Sequence, residues 1–235
     1  MSDINEKLLA RLQQLEREVE RLRVGEKAAL KNGWIPVSGA WTYASATTIT
    51  VPSGAAAIYK VGMGIRLTQS STVKFFYIVG VTDTVLTVTG GSDYTLEDAT
   101  ISAVSYTNSP DTAIGFPDWF NYTPGQLGWA DGYTVYIARF KLIGRACFFS
   151  VDIGGTSNGT DTRIGVPLTS YNTTGAVWAG TNAYMQDNGT ALSVAGRWYL
   201  AAGSTIIYAY TNMASGAWTA SGAKRIRVMG FYEVK

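Results

Sequence analysis

A stripe of branched aliphatic residues runs through the start of this chain. Leu8, Leu12, Leu15, Val19 and Leu22 follow one another at spacings of four, three, four and three, the repeat of about 3.5 residues that marks a helix seam. In that register Leu12 and Val19 take a positions and Leu8, Leu15 and Leu22 take d positions. Arg11 and Glu18 then fall at g, and Glu16 and Arg23 at e, so Arg11 meets Glu16, and Glu18 meets Arg23, of a parallel neighbour. Both pairs attract. The stripe is narrow and the other faces are charged, which predicts a coiled coil between copies of the chain. A single amphipathic helix lying on its own globular body is the competing reading. About three heptads are marginal alone, so contacts further along must help hold the copies together. The seam chemistry is compatible with dimers as well as trimers.

The composition changes sharply after this stripe. Residues 1–31 carry seven basic and six acidic side chains, and the remaining 204 residues carry only 23 charges, which places a boundary near Asn32-Gly33. Beyond it, 26 glycines across the chain, 12% aromatics and abundant Thr and Ser suit short strands and tight turns. The predicted fold class is mainly β. In residues 32–106 strands are predicted at Thr47 to Val51, Ile65 to Gln69, Val73 to Val81, Val85 to Thr89 and Ile101 to Tyr106. Together they read as a small five-stranded sheet or barrel. Val73 to Val79 is nearly all apolar, and Thr82-Asp83-Thr84 is a polar turn before the alternating Val85 to Thr89.

Residues 107–131 interrupt the strands with three prolines and three glycines, yet hold Phe116, Trp119, Phe120, Tyr122 and Trp129. So aromatic a segment predicts an ordered connector packed against a neighbouring domain or chain. In residues 132–235 longer strands are predicted at Thr134 to Leu142, Arg145 to Ile153, Trp178 to Met185, Arg197 to Leu200, Thr205 to Tyr210 and Arg225 to Val234. About a hundred residues of such strands suit a jelly-roll-like antiparallel sandwich.

Several chemistries lack their residues. The chain has no histidine, which removes Ser-His-Asp and Cys-His catalysis and the commonest transition-metal ligand. The only cysteine, Cys147, alternates with Phe149, Val151 and Ile153 and reads as a buried, inert thiol. A net charge of +2, scattered along the chain, offers no basic stripe for nucleic acid. The start is too charged for a signal peptide and no apolar run approaches the ~20 residues of a membrane span, so synthesis in a cytoplasm is expected. Asp111, Asp118 and Asp131 are the only carboxylate cluster worth naming for glycoside hydrolysis, and turn formation accounts for them better. Asp152 and Asp161 lack the run of oxygen ligands calcium needs. Gly62-Met63-Gly64 and Gly154-Gly155 read as strand turns. No cofactor, metal or enzymatic activity is expected.

The order of these parts resembles phage structural proteins of the tail-fibre, head-fibre or receptor-binding kind. The resemblance is carried by the N-terminal coiled coil, by Trp34-Ile35-Pro36-Val37 with Trp41-Thr42-Tyr43-Ala44-Ser45, by Gly115-Phe116-Pro117-Asp118-Trp119-Phe120-Asn121-Tyr122, and by the ending Trp218 to Gly222 through Phe231-Tyr232-Glu233-Val234. It implies a parallel homotrimer attached to other virion proteins near its N-terminus, with a β-domain pointing outward. The expected function is a virion fibre or spike that contacts the host surface. A head fibre, decoration or tail-collar protein binding only virion components is the alternative, and a polysaccharide-degrading tailspike a third. For an adhesin, a surface glycan suits Tyr171, Asn172, Trp178, Asn182, Tyr184, Asp187 and Asn188, which combine amphipathic rings with neutral hydrogen-bonding groups. Core packing is the commoner role for any one of those rings.

Overall fold

The computed structural model describes residues 7, 9, 11–20, 23, 32–130, 132–171 and 177–235. Residues 11–20 form an unbroken helix, α1, with every position exposed. Leu12, Leu15 and Val19 are 54%, 47% and 53% exposed in the single chain. Leu8 and Leu22 lie outside the described residues. Among the described residues no helix is long and apolar enough to cross a membrane.

The first β body contains β1 (Ile35–Pro36), β2 (Thr42–Ser45), β3 (Thr48–Thr50), a single helical turn α2 (Ala55–Ile58), β4 (Gly64–Gln69), β5 (Thr72–Val81), β6 (Val85–Thr89) and β7 (Ser102–Thr107). They form one seven-stranded antiparallel sheet in the order β1-β7-β4-β5-β6-β3-β2. The pattern predicts five of these strands. β1 and β2 are the additions, the first only two residues long with Pro36 at the sheet edge, where a missing N–H costs no ladder bond.

The apolar run of β5 follows from burial on both faces. Phe76 and Ile78 point into the body's own core with Ile65, Leu67 and Leu86. Tyr77 points the opposite way and joins a second core shared with the rest of the chain. There its ring lies 5.0 Å from Phe116, 5.2 Å from Phe120 and 6.4 Å from Phe140. Two glycines permit this approach: a Cβ on Gly62 would run into the Gly144 carbonyl, and one on Gly91 into the Asn121 carbonyl. The aromatic connector therefore packs against both β bodies of its own chain.

The second body contains β8 (Phe120–Asn121), β9 (Gln126–Leu127), β10 (Thr134–Ile143), β11 (Ala146–Thr156), β12 (Arg163–Gly165), β13 (Val177–Asp187), β14 (Thr190–Ala191), β15 (Arg197–Ala201), β16 (Ile206–Tyr210) and β17 (Ala223–Glu233). The order is β8-β10-β11-β17-β13-β15-β16-β12-β9, with β14 paired to β13. The connector thus contributes β8 and β9 to this sheet. β13 turns the corner. Its first half, Val177 to Thr181, pairs with β15, and its second half, Asn182 to Gln186, pairs with β17 across a register irregularity at Asn182/Tyr184. The two halves face each other across one core, with Phe149 5.5 Å from Trp198 and Trp178 6.5 Å from Tyr232. Cys147 is fully buried there, and burial pushes its thiol up to about 12.

Candidate functional site

The outer faces of the two halves differ in chemistry. On β10, β11 and β17 the side chains that alternate outward include Ile143, Met229 and Phe231, all exposed, with Phe148 5.5 Å from Phe231. Phe231 is 60% exposed on a strand inside the sheet order. Beside this apolar patch lies an ion network. The Asp152 carboxylate is fully buried and accepts hydrogen bonds from Arg225 at 2.9 and 2.9 Å and from Arg227 at 3.0 and 2.6 Å. Burial alone would raise its pKa, but the two guanidiniums outweigh that and hold the carboxyl below its ordinary value. Arg225 is also covered by the Tyr136 ring at 4.1 Å and lies 5.8 Å from the Tyr184 ring.

On the other half, Tyr199 and Tyr208 are directly opposed on β15 and β16, and Arg163 and Leu127 continue that row on β12 and β9. Arg197 and Tyr210 form the next row. Tyr199 stacks on Tyr208 at 4.9 Å and 6°, and on Tyr210 at 6.0 Å and 13°. Arg163 covers Tyr208 at 4.8 Å, and Arg197 covers Tyr210 at 5.2 Å. The result is a ladder in the order Arg163, Tyr208, Tyr199, Tyr210, Arg197. Its ring faces cover one another, so these half-buried side chains offer rims and phenol groups outward. Arg163 is paired with Asp161 at 2.7 Å, whereas Arg197 donates to the Ser215 hydroxyl. A groove of about 440 Å³ opens beside Arg163, between Leu127 and Ile206. Its floor includes Gly125 and Gly165, where the Gly165 N–H donates to the Gly125 carbonyl at 2.6 Å.

Lys224 is a third unusual group. It is 1% exposed, with its Nζ 4.8 Å from the Trp129 ring and 5.5 Å from the Trp218 ring. The ammonium donates to Thr162 Oγ1 at 3.0 Å. Burial depresses its pKa to about 8 against the opposing pull of Asp187 and Asp161. No sequence pattern signals this, because the lysine alternates inward on β17 like the apolar residues beside it.

The residues predicted to bind a glycan are spread over several surroundings. Tyr171 lies under Arg145 at 4.8 Å. Trp178 and Asn182 turn toward the interior, where Asn182 Nδ2 donates to the Tyr210 carbonyl at 3.0 Å. Tyr184 belongs to the Arg225 face. Asp187 accepts from the Thr219 N–H at 3.1 Å and from its hydroxyl at 2.9 Å, and Asn188 occupies the adjacent turn with φ 47°. Asn172 lies outside the described residues. Among the described residues the structure brings together only Asp187 with Asn188 in one turn, and uses Asp187 to fix the neighbouring loop. Of the carboxylates considered for catalysis, Asp111 lies 3.8 Å from Lys141, Asp118 is exposed, and Asp131 lies outside the described residues. Among the described residues no group of three or more His, Cys, Asp or Glu is placed to hold a metal.

The Tyr–Arg ladder is the site that sequence reasoning missed. Tyr199, Tyr208 and Tyr210 read as ordinary alternation on two strands, and only the register of β15, β16 and β12 stacks them. Comparison of the chain with family models, with curated proteins and with solved structures finds no match.

Proposed function

We propose that this chain is a non-enzymatic fibre or spike protein of a bacteriophage virion, a parallel homotrimer whose N-terminus joins it to other virion proteins and whose second β body reaches the host surface. In this reading α1 is a coiled coil and the second body a jelly-roll-like sandwich. The observation that carries it is the pairing of two uncovered apolar surfaces in one chain. Leu12, Leu15 and Val19 stand half exposed on α1, and Met229 and Phe231 stand exposed on an interior strand of the sheet. Exposed apolar groups of this kind are characteristic of surfaces that meet protein. The two β bodies share an aromatic core, which suits a stalk that carries load. The resemblance to phage fibre proteins supplies the phage assignment and the trimer number.

Electron microscopy of purified virions, labelled with antibody against the second β body, tests this reading. Label projecting from the particle, at the tail tip for a receptor-binding fibre, is the expected result. Virions that carry no label after the antibody has been shown to bind the purified protein overturn it.

A further inference from the structure

We propose that the Tyr–Arg ladder on β12, β15 and β16, with the groove beside it, is a binding site for an anionic polysaccharide. The inference rests on the reading of this protein as one that meets a cell surface, and names the ligand that surface would present. Three features of the geometry select the ligand.

The first is the closure of the ring faces. With Tyr208, Tyr199 and Tyr210 stacked on one another and capped by Arg163 and Arg197, no free ring face remains for a base or an aromatic side chain to stack on. What remains is a row of phenol hydroxyls, each both donor and acceptor. A polyhydroxylated chain matches such a row and a nucleobase does not.

The second is the distribution of charge. At one end Arg163 is neutralised by Asp161, giving a fixed donor and acceptor side by side. At the other, no carboxylate among the described residues lies within ion-pair distance of Arg197, which donates through a terminal nitrogen to the Ser215 hydroxyl; its Nε is buried and unpartnered, so the grip on an anion falls to the terminal nitrogens. One uncompensated guanidinium suits one anionic group, which its fork can grip in two places. A nucleic acid would require several cations along its backbone.

The third is the groove. Its volume lies within the range of small-molecule sites. Its floor lacks side chains at Gly125 and Gly165, and its walls are the exposed Leu127 and Ile206. It meets the ladder at Arg163, so a sugar or polyol unit placed there continues along the hydroxyl row. The anion of a following unit meets Arg197 and Ser215. The anion is a sugar carboxylate or a phosphate of a wall polymer, since both carry oxygens that a guanidinium grips in the same way.

The test is binding of the full-length protein to immobilised polygalacturonate, to a glycerol-phosphate teichoic acid and to neutral dextran, read by interferometry at low and high salt. Binding to at least one anionic polymer, weakened by salt and absent for dextran, is expected. Arg197→Gln should reduce it about tenfold or more. Tyr199→Phe, which keeps the stack and removes one hydroxyl, should reduce it severalfold with an unchanged melting temperature. Sensitivity of the polygalacturonate or the teichoic acid signal to Arg197→Gln tells which anion is bound. No binding to either anionic polymer, or full binding by both variants, overturns the site. A protein that labels virions and yet binds neither polymer refutes the ligand alone, whereas absence from virions refutes the underlying reading.

Discussion

The two halves of the second sheet share one core and solve the problem of aromatic groups in water in opposite ways. On β12, β15 and β16 the rings cover one another and are capped by guanidiniums, so apolar area is hidden while hydroxyls stay wet. On β10, β11 and β17 the Phe231, Met229 and Ile143 side chains stand exposed beside a carboxylate that is completely buried. The same strand alternation thus produces one face suited to water and solutes, and one suited to contact with another protein surface. What decides between them is the identity of the outward residues at matched register positions, which no single strand reveals.

The largest effect is expected at the carboxylate under the apolar face. Asp152→Ala should cost about 3 kcal/mol, the lower end for a broken buried pair, since both arginines are partly exposed and regain water. The folded carboxyl titrates below its ordinary value of 3.8, so the pair contributes stability above that pH and loses it as pH falls through the lowered value. Acid unfolding monitored by circular dichroism should lose this component in the variant. An Asp152→Ala protein as stable as the parent would mean the network does not organise that face.

A smaller effect is expected at Lys224, which sits where the two halves meet. Its folded pKa of about 8 lies below the ordinary 10.5, so the folded state sheds a proton first. Stability should therefore rise by about 2 kcal/mol as pH climbs from 8 toward 10. Above 10 the trend reverses, because burial raises tyrosines such as Tyr59 to about 12 and favours their neutral form in the fold. Lys224→Met keeps the stem between the two tryptophans and should flatten the rise. A chemical-denaturation series across that pH range checks it.

On the apolar face itself, Met229→Ser with Phe231→Ser should change the unfolding free energy of the β bodies by only about 0.5 kcal/mol, as exposed substitutions do. It should nonetheless raise the protein concentration at which the assembly dissociates, read by sedimentation velocity. Unchanged dissociation would remove that face from the self-contact. On the ladder, Tyr208→Phe retains stacking and should shift stability by no more than a few tenths of a kcal/mol, visible only as a difference in melting temperature near the limit of calorimetry.

Legibility from the sequence followed element length. Strands of five residues or more, such as β5, β6, β10, β11 and β16, fall within a few residues of their predicted spans because alternation repeats often enough to register. β1, β8, β9 and β14 are two residues long and leave no period to read. The connector's aromatics pointed to packing, and the structure shows them packed against both bodies through Tyr77 and Phe140. The ladder, Lys224 and the Asp152 network were illegible for one reason: each depends on cross-strand register, which is set by the corner in β13 and by turns tens of residues away.

In the proposed function the chain works as an assembly held first by the α1 seam. Light scattering coupled to size exclusion on the intact chain, and on a variant carrying Leu12→Ser, Leu15→Ser and Val19→Ser, measures that assembly. The parent should show a mass of three chains, and the variant a smaller species with unchanged β content. A parent that elutes as a monomer at micromolar concentration, or a variant that stays trimeric, would contradict it.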